Sequence, residues 1–107
     1  DISVWNTSNV TNMFGMFRDA SRFSQNLGTW DTSNTTNMSY MFYKANSFNG
    51  NIINWNTSKV TNMDSMFLFA TSFNKDLTKW CVLNINSIPP YFSAFSTSRN
   101  PIWGTCP

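Results

Sequence analysis

The segment Trp55–Leu77, WNTSKVTNMDSMFLFATSFNKDL, is one copy of a repeat that occupies most of the chain. Nearly the same segment begins at Trp30, as WDTSNTTNMSYMFYKANSFNGNI, and at Trp5, as WNTSNVTNMFGMFRDASRFSQNL. These three tryptophans and Trp80 follow one another at intervals of 25 residues. Repeats of about 20–50 residues are typical of chains that bury a continuous core by packing each repeat against the next.

Each repeat contains two segments with different hydrophobic patterns. The alternation along Trp30–Ser33 predicts a short strand with Trp30 and Thr32 inward. Further along, apolar residues recur at helical spacing and predict a short amphipathic helix, for which Thr11, Thr36 and Thr61 are the expected N-caps. The predicted helix faces are Met13, Met16, Phe17 and Ala20; Met38, Met41, Phe42 and Ala45; and Met63, Met66, Phe67 and Ala70.

The repeat length and these two patterns together predict the fold class. A period near 25 residues favours an α/β fold, a right-handed leucine-rich-repeat-like solenoid with one short parallel strand and one short helix per 25-residue turn. We expect one domain over residues 1–107, with repeats at about 5–29, 30–54 and 55–79. Residues 80–107 form a degenerate C-terminal cap, because Pro89 and Pro90 fall where the helix should run. The chain also starts inside a repeat and shows no signal peptide, so we expect a trimmed or mature fragment.

The composition argues against several classes of function. The net charge is +2, and the seven basic residues form no stripe of the kind that binds nucleic acid. No apolar run approaches the roughly 18 residues that span a membrane. The chain has no His and only five carboxylate side chains, which are scattered, so we expect no enzyme, no catalytic residues and no cofactor. The methionines fit a core better than a metal site, and no metal is expected.

The two cysteines, Cys81 and Cys106, are also 25 residues apart. Equivalent residues of adjacent parallel repeats lie about 4.8 Å apart, a separation that a disulfide can bridge. We therefore predict a disulfide that holds the cap on the last regular repeat, rather than two free buried thiols. Disulfides persist in oxidising surroundings, so the prediction favours an extracellular, periplasmic or particle-surface location.

The repeated phrase W-[DN]-T-S-x-[VT]-T-N-M-x-x-M-F-x-x-A-x-x-F resembles the BspA-like leucine-rich-repeat surface proteins, in the subtype seen in mycoplasma surface lipoproteins. The tail, with WCVLNI and then NPIWGTCP, is similar to the terminal cap of marine bacterial and viral members. The resemblance implies a leucine-rich-repeat-like solenoid exposed on a cell or particle and used for adhesion or recognition. It implies no catalytic residues. Thr35 departs from the pattern, since the neighbouring repeats carry Val10 and Val60.

The leading functional hypothesis is an extracellular, surface-exposed module for adhesion to, or recognition of, a protein or glycan partner. Extended surfaces of repeat proteins commonly serve this purpose. The candidate binding face consists of outward positions around the predicted strand, namely Thr29, Asn54 and Lys79; Asn6, Asp31 and Asn56; and Ser8, Ser33 and Ser58.

Two alternative functions follow from other features of the repeat. An uncovered first repeat invites pairing with neighbouring copies, which predicts a structural subunit or tip of an extracellular or virion fibre. A rank of threonines, Thr7, Thr32 and Thr57, suggests ice binding as a minor alternative. The tryptophans are predicted to point inward, and by the same alternation these threonines point inward too. The exposure of Thr32 therefore tests the ice-binding alternative.

Overall fold

Neighbouring repeats lie side by side in the computed structural model, which describes residues 1–93 and 99–107. Parallel bridges join Asn12 to Asn37 and Asn37 to Asn62, and a further bridge joins Phe67 to Ser93. The three asparagines occupy the same position in successive repeats. The 25-residue period therefore determines which residues are neighbours in space.

The predicted α/β solenoid is wrong. Within residues 1–93 and 99–107 there is no α-helix and no β-sheet; pairing is limited to isolated bridges, and Arg99 alone has 3₁₀ geometry. The radius of gyration is 12.4 Å, close to the roughly 13 Å of a compact domain of this length. The protein is a compact globule without the repeating strand–helix units of a leucine-rich-repeat solenoid.

Consecutive turns replace the predicted helices. Tyr40 and Lys44 have φ angles of 58° and 59°, in the left-handed region that interrupts a right-handed helix. The N–H group of Met38 donates to the carbonyl of Asn62 in the next repeat at 2.9 Å, whereas an α-helix uses its N–H groups within its own segment. The same backbone conformation recurs in the other repeats at Gly15, Asp19, Ser65 and Phe69.

The predicted N-caps also have a different role. The hydroxyl of Thr36 donates to the carbonyl of Thr11 at 3.1 Å, and that of Thr61 donates to the carbonyl of Thr36 at 3.2 Å. These side chains join one repeat to the next instead of starting a helix. The prediction failed because a threonine that precedes a turn and one that precedes a helix look alike in sequence.

The predicted strand at Trp30–Ser33 is absent as well. The N–H of Trp30 closes one turn on the carbonyl of Leu27 at 3.0 Å, and the N–H of Ser33 closes another on the carboxylate of Asp31 at 2.9 Å. A side chain then makes the contact to the next repeat, since the hydroxyl of Thr32 donates to the carbonyl of Asn56 at 3.0 Å. Because a hydroxyl takes the place of a backbone donor, no strand ladder forms in this segment.

Stacked aromatic rows form much of the core. The tryptophan rings at positions 5, 30, 55 and 80 stack with centroids 6.3–6.5 Å apart. The indole N–H of Trp55 donates to the carbonyl of Leu27 at 2.9 Å, and Trp30 and Trp80 make the equivalent bond. Two phenylalanine rows stack beside them, Phe17, Phe42 and Phe67, and Phe23, Phe48 and Phe73.

The residues predicted for the helix faces do reach the core, although no helix carries them there. Those of the second and third repeats are all buried, as are Met13 and Phe17 of the first. Met16 of the first repeat is exposed, and Ala20 is half-buried. Thr35, the departure from valine, is fully buried, and its hydroxyl donates to the carbonyl of Val10 at 3.0 Å.

The predicted disulfide is confirmed, since Cys81 and Cys106 are bonded. Beside it, the N–H of Val82 donates to the carbonyl of Thr105 at 2.8 Å. The phenylalanine row changes its packing at this end, where Phe92 meets Phe67 edge-on at 5.4 Å. Residues 94–98 of the predicted cap lie outside the described residues.

Candidate functional site

The nine residues of the predicted binding face, here called the polar face, lie in and beside the turns that flank each tryptophan segment. The asparagine, aspartate, threonine and lysine members are exposed, and the serines are half-buried. They are Thr29, Asn54 and Lys79; Asn6, Asp31 and Asn56; and Ser8, Ser33 and Ser58. The structure places them on turns rather than on a strand.

Six of these residues are paired with one another inside their own repeats. In each pair, one side-chain oxygen accepts both the hydroxyl and the backbone N–H of the serine two residues later, with O–H···O distances of 2.5–2.7 Å. Such Asx-turns fix the backbone locally and occupy that acceptor. The pairs are Asn6 with Ser8, Asp31 with Ser33, and Asn56 with Ser58.

Hydrogen bonds within turns of this kind lower the pKa values of two carboxylates. Hydrogen bonds from the hydroxyl and then the backbone N–H of Ser33 lower the pKa of Asp31 below its ordinary value. The hydroxyl and backbone N–H of Thr78 lower the pKa of Asp76 in the same way. Both carboxylates are therefore ionised at neutral pH and contribute negative charge to the surface.

A shallow groove of about 290 Å³ adjoins the polar face. Its lining residues are Ile53, Asn54, Asp76, Thr78 and Lys79. The sequence predicted Asn54 and Lys79 but missed the other three. The Asp-x-Thr spacing at Asp76 is the signal that points to a turn here, since it matches Asp31-x-Ser33.

The threonine rank lies inside the protein. Thr7, Thr32 and Thr57 are buried, with Thr32 only 2% exposed. Their hydroxyls donate to carbonyls of the next repeat at 3.1, 3.0 and 2.7 Å. The inward phase predicted from the tryptophans is correct, so this rank offers no surface to ice.

A row of aromatic side chains, which the sequence reasoning missed, crosses three repeats at the surface, with its two phenylalanines exposed and its two tyrosines half-buried. Phe14, Tyr40, Tyr43 and Phe69 follow one another with ring centroids 5.6, 5.3 and 6.0 Å apart. The guanidinium of Arg18 and the ammonium of Lys44 lie over the tyrosine rings at 5.2–5.4 Å. These six residues are called the aromatic strip.

The repeat also identifies the family. Residues 1–103 match the family described as "Mycoplasma protein of unknown function, DUF285". The chain belongs to the DUF285 family. The match relates it to mycoplasma surface repeat proteins, as the resemblance predicted, but does not extend to the BspA-like leucine-rich repeats. Comparison of this DUF285 chain with curated proteins and with solved structures gives no match.

Apolar side chains of the first repeat of the DUF285 chain are more exposed than their equivalents in the later repeats. Trp5 is 56% exposed, whereas the equivalent Trp30, Trp55 and Trp80 are at most 4% exposed. Val4 and Met16 are exposed beside it. The first repeat therefore presents to solvent the kind of surface that the later repeats bury.

The described parts of the chain contain neither a metal-binding cluster nor a membrane-spanning helix. No group of three or more His, Cys, Asp and Glu side chains there has an arrangement that can hold a metal ion. Over the same residues, no helix has the length and apolar character needed to cross a membrane.

Proposed function

We propose that this DUF285 chain is an extracellular, surface-exposed module that recognises a protein or glycan partner through the polar face. The groove beside Asn54 and Lys79 carries the proposal, because it is a concave surface where groups of different chemistry converge. Binding sites in proteins typically combine apolar lining with a few well-placed polar groups. Ile53 is partly exposed in this groove and supplies the apolar contact.

The polar groups of the groove are held in place before any partner arrives. The carboxylate of Asp76 accepts the N–H of Thr78 at 2.9 Å and its hydroxyl at 2.6 Å. This turn fixes the backbone next to Lys79. A site whose backbone is already ordered loses less conformational entropy on binding. The ammonium of Lys79 and the amide of Asn54 can then donate hydrogen bonds to carbonyl, carboxylate or hydroxyl oxygens of a partner.

The location outside the cell rests on two observations. The Cys81–Cys106 disulfide is typical of proteins in oxidising surroundings. The DUF285 match relates the chain to mycoplasma surface proteins. Both favour display on a cell or particle surface, where recognition of a protein or glycan is useful.

Binding of the labelled chain to a printed array of glycans and extracellular matrix proteins tests the proposal. Replacing Asn54 and Lys79 together by alanine should weaken binding by about tenfold, because truncating two converging contacts removes at least 1.4 kcal/mol of binding free energy. Arg22→Ala, an exposed cation outside the groove, is the matched control and should bind normally. Full binding by the folded double variant, or no binding by the wild type to any printed probe, would contradict the proposal.

Head-to-tail assembly into a fibre is a second candidate function, favoured by the N-terminal end. In the second repeat, the carbonyls of Asn37 and Met41 accept N–H groups of the first repeat at 2.8 Å. The equivalent carbonyls of Asn12 and Met16 accept no backbone N–H within residues 1–93 and 99–107. Together with exposed Trp5, they form an edge that an incoming copy can cover by donating backbone N–H groups and stacking apolar side chains.

Sedimentation velocity over a range of protein concentrations tests the assembly. We expect the wild-type chain to form larger species as concentration rises, and the variant Val4→Lys with Met16→Lys to stay monomeric, because two buried ammonium groups oppose the contact. Phe69→Lys, also at an exposed apolar residue, serves as the control and should still assemble. A wild-type chain that stays monomeric at every concentration rules out assembly through this edge.

A further inference from the structure

The aromatic strip is not required by the repeat. Core positions carry the same residue in every regular repeat, as at Phe17, Phe42 and Phe67. The strip positions do not, since Tyr40 corresponds to Gly15 and Ser65 in the neighbouring repeats. Four aromatic residues nevertheless meet in one row, because they occupy different positions in successive repeats and form a diagonal across them. Stacking of repeats explains the core rows but gives no reason for this row.

The aromatic strip also contributes less to the stability of the fold than buried rings would. Phe14 is 52% exposed and Phe69 is 49% exposed, so neither gains the full stabilisation of a buried ring. Apolar rings that the fold leaves exposed point to a binding surface.

The cations of the strip are positioned to receive an anion. The guanidinium of Arg18 lies 5.3 Å from the ring centre of Tyr40 and 5.2 Å from that of Tyr43. Its ion pair with Asp19 is a single contact of 3.8 Å between exposed groups, which contributes little. The guanidinium therefore keeps donors available for a carboxylate, to which it can bind in a bidentate manner. Lys44 adds a second cation 5.4 Å from the ring centre of Tyr43.

The tyrosines add further polar groups. The hydroxyls of Tyr40 and Tyr43 have no hydrogen-bond partner within the described part of the chain. Each can donate one hydrogen bond and accept others. The strip thus combines apolar ring faces, two cations and two unoccupied hydroxyls in a row that is one ring wide.

We infer that the aromatic strip binds a linear polyuronate, a glycan whose sugars carry carboxylates. The weakly positive C–H faces of pyranose rings pack on the negative faces of the exposed rings of Phe14 and Phe69, and the carboxylates meet Arg18 and Lys44, which lie over the tyrosine rings between them. A narrow row suits an extended glycan chain. A protein partner would cover about 800 Å² and about 20 residues of this chain, whereas the strip has six residues in one row. The strip comes from a different segment of each repeat than the polar face, so this site stands independently of the proposed function.

Calorimetric titration of the intact chain with polygalacturonate oligomers, and separately with alginate oligomers, tests the inference. Methyl-esterified polygalacturonate is the matched ligand control, since it keeps the sugar rings and loses the charges. The strip variants are Arg18→Gln and the double change Phe14→Ala with Phe69→Ala, and Arg22→Gln is the matched protein control. Thermal unfolding checks that each variant is folded, and Arg18→Gln keeps the test valid if the double variant is not.

Several results support the inference together. The wild type and Arg22→Gln should bind at least one polyuronate, and each strip variant should bind about tenfold more weakly, since an arginine–carboxylate pair or a stacked ring is worth that much. Esterification of the glycan should weaken binding because it removes the carboxylate charges, and added salt should weaken binding because it screens them. The inference is overturned if the wild type binds neither polyuronate, if folded strip variants bind as well as the wild type, or if the esterified glycan binds equally. If instead the wild type binds a protein but no polyuronate, and the strip variants lose that binding, the strip is a protein-docking surface and the inference is overturned as well.

Discussion

Phe42→Ala is expected to lower the free energy of unfolding by about 3–5 kcal/mol. Phe42 is completely buried. Its ring centre lies 5.5 Å from that of Phe17 and 5.4 Å from that of Phe67, and it packs on Phe48 at 4.1 Å. Truncation would empty a site between two stacked repeats, and neither neighbour can close the cavity without losing other contacts, such as those of Phe17 with Phe23 and of Phe67 with Phe73.

Urea unfolding monitored by tryptophan fluorescence gives the measurement, and Phe69→Ala is the matched control. Phe69 is the same residue type, in the next repeat, but half of its side chain is exposed. Its truncation should cost under about 1 kcal/mol, as is usual for surface sites. Similar losses at the two positions would show that stacking between repeats does not supply the stability of this protein.

The side-chain core could be predicted from the sequence because the repeat identifies equivalent residues. A period of 25 residues places Phe17, Phe42 and Phe67 in one row whatever the backbone between them does. The same reasoning located the disulfide at Cys81 and Cys106. Both predictions depend only on adjacent repeats packing in register, and the parallel bridges at the asparagines show that they do.

The backbone could not be predicted in the same way. Apolar residues at i, i+3 and i+4 match a helix, but the observed run of turns buries the same residues. The left-handed residues that distinguish the two include Tyr40, Lys44 and Phe69, which are not residues that favour positive φ. Among the positions of positive φ in the three regular repeats, only Gly15 and Asp19 are of residue types that favour it, which is too little to exclude a helix.

Only part of the candidate site could be predicted from the sequence, because its geometry depends on the same unpredicted turns. The sequence indicated which polar residues face outward, but the pairing of Asp31 with Ser33 depends on turns that replaced the predicted strand. The aromatic strip was missed because Tyr40 and Tyr43 lie outside the apolar stripe of the predicted helix. A surface that runs diagonally across repeats becomes visible only when the lateral contacts, such as Tyr43 with Phe69, are known.

Loss of the Cys81–Cys106 disulfide is expected to destabilise the chain by about 3 kcal/mol in the entropic model, since the bond closes a loop set by a separation of 25 residues. The double variant Cys81→Ser with Cys106→Ser avoids adding reductant, and the oxidised wild type is the reference. Urea unfolding measures the difference in the free energy of unfolding. An unchanged midpoint would show that backbone contacts alone hold the C-terminal segment.

Removal of the disulfide should lower stability mainly in the C-terminal segment, and hydrogen exchange can show this. The bonds near the disulfide that hold the C-terminal segment include those from the N–H of Val82 to the carbonyl of Thr105 at 2.8 Å and from the N–H of Leu77 to the carbonyl of Arg99 at 2.8 Å. The amide of Met38, bonded within the stacked repeats, does not depend on them. Because each repeat contacts mainly its neighbours, protection should fall first at Val82 and Leu77 and persist at Met38. Uniform loss along the chain would mean instead that the protein unfolds as a single unit, and that the disulfide stabilises the whole molecule rather than its C-terminal end.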